Sequence, residues 1–128
     1  MRAIRTLVVD DHADFRRRLK EFLASEPEIE VVGEAGDAQE AILKARELQP
    51  DLVLMDVRMP GINGISATRQ LKDEMPELKV LMLSLYDIDE YRKAALDSGA
   101  SGYVVKIKLV QELIPAIRAV FGERVGRG

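Results

Sequence analysis

The sequence contains no cysteine, no tryptophan and only one histidine. Without cysteine there can be no disulfides, zinc-thiolate sites or thiol nucleophiles, which is compatible with a reducing setting. Long apolar runs are also absent. The apolar run near the N-terminus is too short for a signal peptide, and no apolar segment approaches the length of a membrane span. We therefore expect a cytoplasmic protein that does not enter a membrane.

An excess of positive charge is missing too. The chain has 19 Lys and Arg residues against 22 Asp and Glu, which gives a formal net charge of −3. A domain that binds nucleic-acid phosphates usually has the opposite balance, so we expect no direct nucleic-acid binding by this chain. The short basic run 16–18 lies on a predicted helix whose Phe15 and Leu19 face inward, and we interpret it as a solvated helix face.

The remaining composition is that of one folded domain. The 128 residues are 47% hydrophobic and 32% charged, which favours a packed core under a charged surface. Five short apolar runs alternate with five segments of helical periodicity, a pattern typical of a parallel sheet with helices on both faces. These runs are 4–9, 31–34, 52–55, 80–83 and 103–105. The prediction is a single doubly wound α/β domain over residues 1–121, followed by a tail or the start of a linker over 122–128.

Local signals place the helix boundaries. Asp37 is predicted to cap the second helix and Asn63 the third. Pro115 interrupts the apolar stripe of the last helix, where a proline costs a hydrogen bond. Either that helix begins late, near Gln111 or Glu112, or it is bent.

The ends of the predicted strands carry polar residues. In an open parallel sheet, ligands bind beyond the carboxyl ends of the strands. Two acids follow the first strand, one acid follows the third, a serine follows the fourth and a lysine follows the fifth. We call these five the rim residues: Asp10, Asp11, Asp56, Ser84 and Lys106. Each alone is compatible with a helix cap, a turn or a solvated loop residue.

Together the rim residues predict a cation and a phosphoryl group. Three converging carboxylates repel one another, and a bound cation would keep them ionised. Hard oxygen ligands suit Mg²⁺, with Mn²⁺ as a second possibility. A carboxylate can also attack phosphorus once this repulsion is neutralised. The hypothesis is that Asp56 is the nucleophile, that Asp10 and Asp11 hold the ion, and that Ser84 and Lys106 contact phosphoryl oxygens.

Four segments carry a family resemblance that covers essentially the whole chain. They are VVDDH at 8–12, DLVLMDVRMPGING at 51–64, LS at 83–84 and GASGYVVK at 99–106. This pattern resembles the receiver domains of bacterial two-component response regulators. The resemblance implies a flavodoxin-like (βα)5 fold, with a five-stranded parallel sheet in the order 2-1-3-4-5.

The resemblance also implies roles for individual residues. Asp56 would take a phosphoryl group from the phosphohistidine of a sensor histidine kinase. The Mg²⁺ site would comprise Asp10, Asp11 and Asp56, together with the main-chain carbonyl of Arg58. Ser84 and Lys106 would bind the phosphoryl group. Ser84 would also act with Tyr103 as the conformational switch.

Within that family, the segment VVGEAGDAQEA at 31–41 is similar to the NarL/LuxR subgroup. Membership implies control of transcription through a helix-turn-helix domain outside this chain, and a possible homodimer on phosphorylation. It implies no enzyme activity beyond self-phosphotransfer and autodephosphorylation. Two alternatives stay open: a stand-alone single-domain regulator, and a pseudo-receiver that binds partners without phosphorylation. We favour a receiver that belongs to a longer protein.

The chain departs from the family pattern after its lysine. Many receivers have a cis proline there, whereas this chain has Ile107, so we predict a trans bond. The segment 107–110 is unusually apolar, and an exposed Leu109 or Val110 would suit a partner surface. His12 is interpreted as a residue at a helix start that modulates the site, rather than as a catalytic base or metal ligand.

Overall fold

The computed structural model describes residues 2–58 and 63–122. In chain order its elements are β1 (Ile4–Val9), α1 (Ala13–Ala24), β2 (Ile29–Ala35), α2 (Ala38–Leu48), β3 (Leu52–Asp56), α3 (Gly64–Glu74), β4 (Lys79–Ser84), α4 (Asp89–Asp97), β5 (Gly102–Val105), a 3₁₀ turn (Lys106–Lys108) and α5 (Leu109–Phe121). All strand pairs are parallel, and the sheet order is β2-β1-β3-β4-β5. The predicted doubly wound fold and strand order are confirmed.

Two apolar layers hold the helices on the sheet, one on each face. Successive side chains of a strand point to opposite faces, so Leu7 and Val9 of β1 join one layer while Val8 joins the other. The first layer is completed by α2, α3 and α4, and the second by α1 and α5. Strands covered on both faces in this way read as continuous apolar runs, which is why β3 and β4 were evident in the sequence.

Both predicted helix caps are confirmed. The Asp37 side chain accepts a hydrogen bond from the Glu40 main-chain N–H at 2.8 Å. The Asn63 side chain accepts one from the Ser66 N–H at 2.9 Å. Each cap satisfies one of the unpaired donors of a first helical turn, and so fixes where α2 and α3 begin.

The last helix begins earlier than one of our two alternatives required. α5 starts at Leu109, so Pro115 lies in its interior and the prediction of a start near Gln111 or Glu112 is wrong. The reason is burial: Leu109, Leu113 and Ile117 recur at helical spacing and are all buried against the sheet. Their burial outweighs the hydrogen bond that the exposed proline cannot donate.

The segment after Lys106 is partly as predicted. The described residues contain no cis peptide bond, so the trans bond before Ile107 is confirmed. Val110 is 74% exposed, as expected for a partner surface, and Ile107 is 88% exposed. The alternative of an exposed Leu109 is wrong, because this side chain points into the layer between α5 and the sheet.

Parts of two predictions lie outside the described residues. These are residues 59–62 of the motif after Asp56 and residues 123–128 of the predicted tail. The boundary of the domain near residue 121 therefore stays a prediction. Among the helices of residues 2–58 and 63–122, none combines the length and the apolar character that crossing a membrane would need.

Candidate functional site

The parallel register brings the rim residues to one edge of the sheet. Asp56 ends β3 opposite Leu83, and Ser84 ends β4 opposite Val105. Asp10, Asp56 and Ser84 are buried, with exposed fractions of 1%, 6% and 2%. A cavity of about 140 Å³ opens beside them, lined by His12, Asp56, Arg58, Ser84, Leu85, Tyr86 and Lys106. A small cavity at the carboxyl edge thus borders three of the five rim residues, Asp56, Ser84 and Lys106.

Lys106 lies between two of the carboxylates. Its Nζ is 2.5 Å from Asp10 Oδ2 and 3.6 Å from Asp56 Oδ2. The ammonium also lies 4.2 Å from the centre of the Phe15 ring on α1, within the range of a cation–π contact. Our sequence analysis assigned Phe15 only to the apolar face of its helix. The contact with Lys106 depends on how α1 is placed at the carboxyl edge of the sheet, which periodicity does not reveal.

The surroundings of Asp56 disfavour the ionised form of its carboxyl. Burial raises the pKa of its carboxyl to about 6, and the Lys106 ammonium opposes this effect. The neighbouring Asp10 and Asp11 carboxylates raise the pKa further, while a hydrogen bond from the Arg58 main-chain N–H at 3.3 Å lowers it. An added positive charge beside Asp56 would therefore be strongly favoured.

The acidic residues fit a divalent cation. Asp10, Asp11, His12 and Asp56 each offer one ligand atom, and these atoms all lie within 4.8 Å of one another. Asp11 Oδ1 is buried and makes no hydrogen bond, although His12 Nδ1 lies 3.1 Å away. A buried carboxylate oxygen without a donor is what a site for a hard cation provides. The donor set suits Mg²⁺, while the role predicted for the Arg58 carbonyl stays a prediction.

The two predicted switch residues meet at Tyr86. The Ser84 hydroxyl accepts a hydrogen bond from the Tyr86 main-chain N–H at 3.0 Å, and the Tyr103 hydroxyl donates to the Tyr86 carbonyl at 2.7 Å. The Arg92 guanidinium lies 4.8 Å from the centre of the half-buried Tyr103 ring. Burial raises the pKa of Tyr103, with a smaller opposing effect from the Ser84 hydroxyl. The segment between β4 and α4 thus contacts both residues.

Two further residues support the site, and our sequence analysis missed both. Arg16 of α1 donates from its guanidinium to the Asp10 carbonyl at 2.5 Å and to Glu34 at 2.8 Å. Its side chain is only 18% exposed, so the interpretation of the basic run as a solvated face is wrong for this residue. Gly64 lies so close to Asp56 that a Cβ would stand 1.9 Å from the Asp56 carbonyl oxygen. Only glycine fits there.

The sheet order and the rim residues define a doubly wound α/β domain with one polar edge. The model of the family described as the response regulator receiver domain matches residues 6–118, and this chain belongs to that family. The confirmed resemblance explains why acids, a hydroxyl and a lysine are spread over four different strand ends.

Individual relatives support the same subgroup. The chain is 45% identical to the response regulator GacA of Pseudomonas viridiflava over 122 residues, which are 94% of this chain and 57% of that protein. It is 42% identical to the transcriptional regulatory protein DegU of Brevibacillus brevis over 117 residues, 91% of this chain and 50% of that protein. It also superposes on a two-component response regulator of the LuxR family from Aurantimonas sp. SI85-9A1. That match has a TM-score of 0.90 and 36% identity, and covers 96% of this chain and 88% of the other.

These similarities establish a receiver domain of the NarL/LuxR type. The family is a signalling fold rather than an enzyme family, as predicted. The chain spans about half the length of the curated relatives that it matches.

Proposed function

We propose that this chain accepts a phosphoryl group on Asp56 from the phosphohistidine of a sensor histidine kinase. The observation that carries the proposal is the environment of Asp56. Its buried carboxylate borders a cavity of about 140 Å³, with the Lys106 ammonium 3.6 Å away and the oxygens of two further acids close by. A nucleophile and the groups that would neutralise an incoming anion are thus present together.

In the proposed transfer, an Asp56 oxygen forms a bond to phosphorus as the N–P bond of the phosphohistidine breaks. The electron pair of that bond returns to the imidazole of the kinase. Asp10, Asp11, Asp56 and the Arg58 carbonyl would hold Mg²⁺ or Mn²⁺, which supplies charge neutralisation between the two anions. Lys106 then pairs with one phosphoryl oxygen, and the Ser84 hydroxyl donates a hydrogen bond to another.

The proposed signal passes through Tyr86. When Ser84 moves toward the phosphoryl group, the Tyr86 main-chain N–H loses its hydrogen-bond acceptor. The carbonyl of Tyr86 accepts the hydrogen bond of the Tyr103 hydroxyl, so a change at Tyr86 reaches Tyr103. Tyr103 would then rotate inward, and the face formed by α4, β5 and α5 would change shape. A shift of a few kcal/mol is enough to turn a mostly inactive population into a mostly active one.

The proposed output is control of transcription by a helix-turn-helix domain outside these residues, with dimerisation on phosphorylation and a cytoplasmic location. Similarity to the transcriptional regulatory protein DegU supports this output. A stand-alone regulator without a DNA-binding domain is the alternative. A pseudo-receiver is less well supported, because such domains usually lack an acidic, hydroxyl or lysine position and all five rim residues are present.

The direct test is to incubate the chain with Mg²⁺ and a small acyl-phosphate donor and to measure its intact mass. We expect one acid-labile phosphoryl adduct on the wild type and none on Asp56→Asn. Asp37→Asn is the matched control, since Asp37 is an exposed helix cap and asparagine caps equally well. An unmodified wild type, or an undiminished adduct on Asp56→Asn, would contradict the proposal.

The switch needs a separate measurement. Tyr103→Ala should abolish the dimerisation that phosphorylation or beryllofluoride induces, while the mass adduct on Asp56 persists. Tyr103→Phe removes only the hydrogen bond to Tyr86 and should shift the same equilibrium less. Unchanged dimerisation of phosphorylated Tyr103→Ala would show that Tyr103 has no switch role.

A further inference from the structure

We propose that His12 is a direct ligand of the divalent cation at this site, and that it makes the site favour transition metals such as Co²⁺ over Mg²⁺. The inference rests on the proposed metal site and extends it, since the three acids alone would favour a hard cation. It also revises our interpretation of His12 as a residue at a helix start that modulates the site without binding the metal.

The position of the imidazole supports direct ligation. His12 Nδ1 lies 3.2 Å from Asp10 Oδ1 and 3.1 Å from Asp11 Oδ1. Neighbouring ligands of an octahedral ion with bonds of about 2.1 Å stand about 3.0 Å apart, the bond length multiplied by the square root of two. His12 Nδ1 therefore stands at this spacing from one oxygen of each of the two acids.

The side chain of His12 makes one contact that an ion at Nδ1 would replace. Nδ1 lies within hydrogen-bond distance of Asp10 Oδ1, at 3.2 Å, and the same oxygen accepts a hydrogen bond from the His12 main-chain N–H at 2.8 Å. The side chain makes no hydrogen bond that caps α1. The side chain is 67% exposed, so Nε2 can carry the ring proton in contact with solvent while Nδ1 offers its lone pair. Asp11 Oδ1 makes no hydrogen bond, although Nδ1 lies 3.1 Å away, so a bound ion would displace no donor from this oxygen.

An imidazole ligand changes which ion is preferred. Nitrogen donors add more to the affinity for Co²⁺, Ni²⁺ or Zn²⁺ than to that for Mg²⁺, which favours oxygen ligands and retains water. The chain has one histidine and no cysteine, so no other imidazole or thiolate competes for such an ion. The composition therefore makes His12 testable without background from other residues of these types.

The experiment compares Co²⁺ and Mg²⁺ binding to the chain without an affinity tag, by calorimetry at about pH 8, where an ordinary imidazole is neutral. Loss of residues that merely orient a metal ligand costs about 10–100-fold in affinity, so loss of a direct ligand should cost at least about tenfold. We expect His12→Gln to weaken Co²⁺ binding by that factor and Mg²⁺ binding much less. Asp14→Asn is the matched control, because it changes an exposed charge two residues away and should affect both ions alike.

Magnetic resonance of the wild type gives a second readout. If Nδ1 binds the ion, Co²⁺ should shift the ring signals of the single histidine strongly, and Zn²⁺ should leave the proton on Nε2. A proton that stays on Nδ1 in the zinc complex, or equal effects of His12→Gln on Co²⁺ and Mg²⁺, would overturn the inference. Failure of the proposed site itself is distinguishable, since Mg²⁺ would then not bind the wild type, or Asp11→Asn would bind both ions unchanged.

Discussion

Replacement of Asp56 by asparagine should stabilise the metal-free protein at neutral pH. Asparagine keeps the size of the side chain and an oxygen that can accept the Arg58 N–H, while it removes a buried charge. Asp56 is 6% exposed and stands beside the carboxylates of Asp10 and Asp11. The proposed phosphoacceptor is therefore a residue whose charge works against folding in the absence of a cation.

The size of this stabilisation follows from the pKa of Asp56. Burial, reinforced by the two neighbouring acids and opposed by Lys106, raises the pKa of Asp56 from 3.8 to about 6. Each pKa unit corresponds to about 1.4 kcal/mol, so ionised Asp56 costs about 3 kcal/mol of folding free energy above pH 6. Because the pKa is higher in the folded state, this cost is absent below about pH 4 and grows as the pH rises to 6. The gain in the free energy of unfolding from Asp56→Asn should depend on pH in the same way.

Urea unfolding in the presence of a chelator, repeated from about pH 4 to pH 8, measures this gain. We expect a difference of about 1–3 kcal/mol at pH 7 that disappears near pH 4. Asp37→Asn serves as control, because Asp37 is exposed and caps α2. Saturating Mg²⁺ should stabilise the wild type and narrow its difference from Asp56→Asn. A gain that is independent of pH, or a loss of stability at neutral pH, would refute the electrostatic reasoning.

Three further substitutions test other contacts. Lys106→Met should lower the free energy of unfolding in urea by about 3 kcal/mol, because it leaves Asp10 buried without its cation, and added Mg²⁺ should restore part of the loss. Gly64→Ala should cost about 2 kcal/mol or more and should abolish beryllofluoride binding measured by spectral shifts, since its Cβ would stand 1.9 Å from the Asp56 carbonyl oxygen. Pro115→Ala should raise the thermal midpoint and stabilise the protein by about 1–3 kcal/mol, because it restores an N–H donor inside α5 at an exposed position. An unstable Pro115→Ala protein would show that the proline suits the backbone of α5.

The sequence predicted the fold well because each local signal agrees with the global arrangement. β1 was predicted with its observed bounds, and the other strands extend one to three residues beyond their apolar runs. These extensions are mostly polar or small residues such as Glu30, Lys79 and Gly102, whose strand conformation comes from pairing with a neighbour. Periodicity detects burial, so it cannot detect residues that belong to a strand only through its hydrogen bonds.

The sequence predicted the chemical groups of the candidate site but missed the residues that support them. Asp10, Asp56 and Ser84 follow apolar runs, and the topology of a parallel sheet brings such ends together. Arg16 and Phe15 act on the site from α1 through contacts that depend on how this helix packs beside the strand ends. Tyr86 is linked to both Ser84 and Tyr103 through its main chain, which carries no residue-specific signal at all. Contacts of these kinds follow only from tertiary structure.

The position of Lys106 connects cation binding to phosphoryl binding. Its ammonium is closer to Asp10 than to Asp56, and with Asp11 in the same cluster three carboxylates stand against one ammonium, which leaves an excess of negative charge. A divalent cation held by Asp10 and Asp11 would cancel that excess and weaken the hold of Asp10 on the lysine. Lys106 would then be available to an anion at Asp56, next to the cavity. In the proposed function, the acids whose charges oppose folding without a cation are therefore also the groups that make Lys106 respond to the ion.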